Sequence, residues 1–109
     1  PEQVNALAAA LAAADAEGYA ACCEALAGAD LRSALPAMPR PMRVLAGQDD
    51  LVTTVQDAGE ILRHAPDAEL HILPASHLSN IEVPDAFTAQ LLHFLERQGA
   101  ADEHSDRTH

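Results

Sequence analysis

Two short apolar runs, "MRVLAG" at residues 42–47 and "ELHIL" at 69–73, flank a stretch of about eleven residues of helical character from Thr54 to His64. Runs of this length, rich in branched residues and bounded by turn formers, are strand signals. Gly47 closes the first, and Pro66 and Asp67 make the turn before the second. Strand, helix, strand is the pattern of a βαβ unit, whose right-handed crossover makes the two strands parallel neighbours or near neighbours. From Pro84 a last amphipathic helix is expected, with Phe87, Leu91, Phe94 and Leu95 on its inner face. The expected fold class is therefore α/β.

The first third has a different character. "EQVNALAAALAAA" places Val4, Leu7, Ala8 and Leu11 at the spacing of one helical face. Asp15 fits an N-cap, and a second helix from Ala16 to Ala27 repeats the spacing with Tyr19, Cys22, Cys23 and Leu26 before Gly28 stops it. Tyr19 at this spacing reads as core rather than pocket. Asp30 is placed to cap one further turn, "LRSAL", and "PAMPRPM", with three prolines in seven residues, is expected to be an extended connector.

Composition limits what such a chain can do. Of 109 residues nearly half are apolar, yet alanine supplies much of that count and aromatics only 3%, so the core must be thin. The net charge of −11, with no Lys, opposes binding to phosphate backbones or anionic lipid. No run reaches the roughly 20 apolar residues of a membrane span, and the alanine-rich start lacks a basic flank. The chain reads as soluble and cytoplasmic, with neither nucleic acid nor membrane as a partner. Cys22 and Cys23 are adjacent and have no third cysteine to pair with, which suits buried reduced thiols better than a redox or metal pair. No metal site and no cofactor is expected.

The candidate chemistry lies past the strand ends. In a parallel sheet all strand C-termini open on one rim, and ligand sites lie outside that rim. Asp50 falls four residues after Ala46, and His77 four after Leu73, in the loop "PASHLSNIEVP". With adjacent strands roughly 4.8 Å apart, a carboxylate and an imidazole come within hydrogen-bonding reach. A carboxylate accepting from one ring nitrogen fixes the tautomer and leaves the other nitrogen free to take a proton from a nucleophile. Asp49 competes for the role, and backbone reasoning alone does not choose between the two. His64 at a helix end, His71 on an outward strand position and His93 on the outer side of the last helix are weaker candidates.

These stretches carry a resemblance. "RVLAGQDDLVTT" resembles the strand, Gly-x-x-Asp turn and loop that bring in the triad acid of α/β-hydrolases, and "PASHLSNIEVPDAFTAQLLHFL" their closing strand, His loop and final helix. The wording of the second stretch, with "GYAACCEALAGADLR" upstream, is similar in particular to 3-oxoadipate enol-lactonases. The resemblance implies that Asp50 is the triad acid and His77 the base, and that Glu82 and Pro84 are framework positions of the His loop. It also implies a division into the end of a helical cap and its return at 1–35, the C-terminal part of the hydrolase core at 36–98, and a disordered tail or linker at 99–109.

No Gly-x-Ser-x-Gly elbow occurs in the sequence. Ser33 and Ser105 lack the flanking glycines, and Ser76 and Ser79 lie in the His loop. In the hydrolase order the nucleophile comes before the acid and the base, so the expectation is a C-terminal portion whose serine precedes residue 1. The activity implied is hydrolysis of a small enol-lactone to 3-oxoadipate, with this portion inactive alone. The implied partners are a small lactone or ester substrate and, as polypeptide, the N-terminal part of the hydrolase or a fused C-terminal decarboxylase domain. Two alternatives stand beside this: another α/β-hydrolase, such as an esterase or C–C bond hydrolase, and a non-catalytic acidic α/β module whose exposed sheet edge is covered by a partner. His104 and His109 in the tail are at most adventitious metal binders.

Overall fold

The computed structural model describes residues 1–107, with side chains through Gly99. The chain divides into two compact units, Pro1–Ser33 and a second beginning at Ala34.

The first unit holds α1 (Glu2–Ala13) and α2 (Ala16–Gly28). Asp15 caps α2 by accepting the N–H of Gly18 at 3.0 Å. No residue of either helix is buried. Cys22 and Cys23 are exposed, which corrects the expectation of buried thiols, and Tyr19 is 58% exposed rather than core. Rich in alanine, these helices have little bulk with which to shield their larger side chains. No single helix among the described residues is long and apolar enough to cross a membrane; α1 and α2 reach that length and composition only as a pair bent by 97°.

Asp30 accepts the backbone N–H of Arg32 at 3.1 Å and pairs with its guanidinium, so the aspartate closes a turn as expected. The proline-rich connector is not wholly extended, because Leu35–Ala37 form a 3₁₀ turn with Pro36 in its first positions, where a missing N–H costs no helical bond.

The second unit is the βαβ arrangement anticipated from the strand signals. Strand β1 (Met42–Gly47) and strand β2 (Ala68–Leu73) pair in parallel as direct neighbours, from Met42 opposite Ala68 to Gly47 opposite Leu73. Helix α3 (Val55–His64) connects them. Thr54 accepts the Asp57 N–H while the Asp57 carboxylate accepts the Thr54 N–H, a capping box that fixes where α3 starts. A single helical turn, α4 (Ser79–Glu82), interrupts the loop after β2 and was not signalled by the sequence.

Helix α5 (Pro84–Arg107) packs with its aromatic positions: Phe87 and Phe94 are half-buried, whereas Leu91 and Leu95, expected inside, are 43% and 52% exposed. The helix runs on through 99–107, where polar composition had suggested a disordered tail or linker. Ala100, Ala101 and Glu103 are strong helix formers, and an established helix propagates at little cost. Thr108, His109 and the side chain of His104 lie outside the described residues.

The core is thin, as the alanine content implies. Among the described residues the buried apolar ones are Ala46, Ala58, Ala65, Leu73 and Ala75, and of these only Leu73 has a large side chain. Arg43 joins β1 to its surroundings, donating to Glu69 on β2 at 2.8 Å and to Gln90 Oε1 on α5 at 3.3 Å, with its guanidinium 5.5 Å from the Phe94 ring centroid.

Candidate active site

The site begins where β1 and β2 end. The two chains stay bonded past the sheet: Gln48 donates its N–H to Leu73 at 2.8 Å, and Asp49 donates its own to Ala75 at 3.0 Å. The loops can run this close only because residue 47 is glycine. A Cβ there would stand 2.5 Å from the Ala75 carbonyl oxygen and closer still to that of Ser76. The glycine of "GQDD" is thus required by the His loop lying against it.

The observed register revises the count made from sequence. Gly47, not Ala46, lies opposite Leu73, so Asp50 is three residues past its strand and His77 four past its own. Apolar runs locate strands but leave the pairing register open by a residue. The unequal offset still brings the two side chains together, because Ala75 folds back to donate its N–H to Leu73 at 2.8 Å and takes up the extra residue.

His77 Nδ1 lies 2.9 Å from Asp50 Oδ2. An ionised carboxylate only accepts, so the contact assigns a proton to Nδ1; in the neutral ring Nε2 is then the nitrogen with the lone pair. Asp50 is buried, with its side chain 6% exposed, and the His77 side chain is 51% exposed. Asp49 is exposed, so burial distinguishes the two carboxylates that the sequence left equal.

Asp50 is held ionised. Its pKa is lowered from 3.8 to about 2, first by the hydrogen bond from His77; burial opposes this, and donors from its own loop lower it further. Those donors are the N–H of Val52 at 2.8 Å and of Thr53 at 3.1 Å on Oδ1, and the Thr53 hydroxyl at 3.0 Å on Oδ2. The loop between β1 and α3 is therefore wound around the carboxylate.

Glu82 reaches back from α4 to accept the Ser76 N–H at 2.8 Å, bracing the His loop next to His77 as its framework position implied. A cavity of about 350 Å³ opens beside the pair, lined by Val44, Ala46 and Ala58 together with Asp50, Thr53 and His77. No arginine lines it. Among the weaker candidates, His64 bonds the Glu60 carbonyl of its own helix at 2.8 Å, and His93 lies 3.2 Å from the Arg43 guanidinium, both away from Asp50. Among the described residues no group of three or more His, Cys, Asp or Glu is placed to hold a metal ion.

Parallel strands, a Gly-x-x-Asp turn and a loop histidine on its carboxylate make up part of an α/β-hydrolase fold, and solved hydrolases superpose on it. The enol-lactonase from Burkholderia xenovorans matches with a TM-score of 0.71 at 42% identity, over 73% of this chain and 31% of that one. A hydrolase from Pseudomonas aeruginosa matches at 0.59 and 43%, over 62% of this chain and 26% of that one.

No family model matches the chain. Its curated homologues are 3-oxoadipate enol-lactonases: enzyme 2 of Acinetobacter baylyi is 49% identical over 87 residues, 80% of this chain and 33% of the relative. Enzyme 1 of the same organism is 43% identical over 77 residues, 71% of this chain and 29% of the relative. The chain spans about a third of the length of the curated relatives it matches.

Proposed function

We propose that this chain is the acid–base portion of a serine hydrolase that opens 3-oxoadipate enol-lactone to 3-oxoadipate, with Asp50 as the triad acid and His77 as the base. The observation that carries the reading is the 2.9 Å contact between a buried, ionised carboxylate and a half-exposed imidazole whose Nε2 is left to receive a proton. Homology to enol-lactonases supports the substrate class. On this reading α1 and α2 are the end of a helical cap and its return, and the residues from β1 onward are the C-terminal part of the core.

Chemistry of this kind needs a nucleophile and oxyanion donors from outside these 109 residues. His77 Nε2 takes the serine hydroxyl proton as the serine oxygen attacks the lactone carbonyl, and Asp50 stabilises the imidazolium so formed. The carbonyl then reforms, the ring C–O bond breaks, and the proton returns from Nε2 to the enol oxygen. Water next attacks the acyl-serine with His77 again as base, releasing the acid. The lactone keeps one free carboxylate, its other carboxyl being closed in the ring, and the described cavity is lined without arginine, so that carboxylate must be met by other parts of the enzyme.

The test has two arms. The 109 residues alone are expected to give no lactone turnover, since general-base assistance has nothing to act on. Joined in one chain to a hydrolase portion that carries the Gly-x-Ser-x-Gly elbow, they are expected to support turnover that falls by about 10²–10⁴ in H77Q. Turnover by the isolated chain, or a joined enzyme indifferent to H77Q, removes the reading.

A further inference from the structure

Thr53 touches every part of the Asp50–His77 pair. Its backbone N–H donates to Asp50 Oδ1 at 3.1 Å, its hydroxyl donates to Oδ2 at 3.0 Å, and the same hydroxyl oxygen lies 3.3 Å from His77 Nδ1. Among the described residues Thr53 is the one whose groups meet both carboxylate oxygens, because Val52 donates only to Oδ1 and His77 only to Oδ2. A carboxylate offers about four lone-pair sites, and here Val52, Thr53 twice and His77 fill them. With its proton committed to Oδ2, the Thr53 hydroxyl can meet Nδ1 only as an acceptor. It therefore favours the ring tautomer that Asp50 favours and disfavours the reverse.

We propose that Thr53 is a positioning residue of the site: it clamps the Asp50 carboxylate through both oxygens and holds His77 in the Nδ1–H tautomer by accepting a second share of that proton. This rests on the Asp50–His77 reading above and adds to it the residue that fixes the plane in which acid and base meet. Without the hydroxyl, Oδ2 has one donor instead of two, and the carboxylate can turn about its Cβ–Cγ bond.

Valine is the same shape as threonine without the hydroxyl, so T53V keeps the backbone bond and removes only the clamp, while T53S restores a hydroxyl. Nitrogen-15 correlation spectra of the histidine rings in the chain read which nitrogen of His77 carries the proton, and the carboxyl carbon of Asp50 reads its titration. The parent and T53S are expected to give Nδ1–H at neutral pH and an Asp50 midpoint near 2. In T53V an Nε2–H population is expected, with the midpoint raised by a few tenths to about one pH unit, the scale of one lost hydrogen bond. Where T53V fails to fold, T53A is read in its place.

A T53V spectrum and titration matching the parent overturn the clamp. D50N separates the two failures. If D50N alters the His77 ring and T53V does not, the pair stands and Thr53 has no part in it; if neither does, the pair itself is wrong and the proposed function falls with it.

Discussion

Gly47 lies directly against the carbonyl of Ser76, with no room between them for a single methyl group. Gly47 ends β1 just before the loop that carries Asp50, and Ser76 lies in the loop that carries His77, so the glycine sets the distance between the two side chains. In G47A the His loop must move outward or β1 must shift, and His77 then leaves hydrogen-bonding distance of Asp50. The expected stability loss is about 1–3 kcal/mol, the usual cost of forcing an extra carbon into a packed site. Urea denaturation measures it, and the His77 ring signals should move toward those of a free imidazole. A G47A chain with unchanged stability and an unchanged His77 ring is incompatible with this packing.

Asp50 makes an acid-side prediction. Its pKa is depressed to about 2, so the unfolded chain, near 3.8, binds the proton more readily than the folded one. The stabilisation from this group is thus fully present above about pH 4 and is lost as pH falls through 2. Glu69, depressed mainly by its hydrogen bond from Arg43, acts in the same direction. In D50N the Asp50 share of this acid limb disappears while the Glu69 share remains. The amide also orients predictably: the N–H groups of Val52 and Thr53 hold its oxygen at the Oδ1 position, leaving its NH₂ facing Nδ1. His77 is then driven to the Nε2–H tautomer, the reverse of the one that Asp50 favours. Stability measured from pH 2 to 5 and the ring nitrogens of His77 check both halves; a D50N acid limb as steep as the parent's contradicts the first.

How far the sequence reaches is visible in these same residues. The strands, α3 and their parallel pairing follow from apolar runs and helical spacing, and the cap at Asp15 from a side chain that accepts a nearby N–H group. That His77 and a carboxylate at 49 or 50 share one edge follows from the rule that parallel strands open their ends on one rim, whereas the choice of Asp50 rests on the resemblance of "GQDD" to a Gly-x-x-Asp turn. What was hidden depends on contacts between segments distant in the chain. The register differed by one residue because apolar runs do not mark pairing to that accuracy. The role of Thr53 was invisible in "QDDLVTT", since it exists only once the loop folds back on Asp50 and His77 arrives from 24 residues away. The exposure of Cys22, Cys23, Leu91 and Leu95 escaped because spacing shows which residues share a face, not whether anything covers it.

Glu82 gives a milder prediction. Its carboxylate accepts the Ser76 N–H from six residues on, and α4 is the turn that brings it back. E82A leaves that N–H to water, an exposed exchange expected to cost about 0.5–1.5 kcal/mol. Because Ser76 precedes His77, the effect should be local: faster amide exchange at 76–78 with α3 and β1 unchanged. E82Q, which keeps an acceptor of the same reach, should restore most of the protection. Uniform loosening of the whole unit in E82A goes against a local brace.

Arg43 is the polar counterpart of Leu73 in holding the second unit together. Its side chain is 9% exposed, yet it contacts Glu69 on β2 and Gln90, His93 and Phe94 on α5. Glu69 is 54% exposed, so deleting the arginine charge leaves no buried carboxylate unpaired, and the cost is lost attachment rather than desolvation. R43M keeps the apolar stem and removes the donors and the cation over the ring. The expected loss is about 1–2 kcal/mol, read by urea denaturation, with amide exchange quickening around Phe94 before the sheet is affected. R43K should fall between the two, since an ammonium supplies a charge but cannot fork between Glu69 and Gln90. The acid limb of stability should shrink in R43M as well, because Glu69 loses the principal cause of its lowered pKa. If R43M matches the parent in both stability and exchange, α5 is held to the sheet by its aromatic side chains alone.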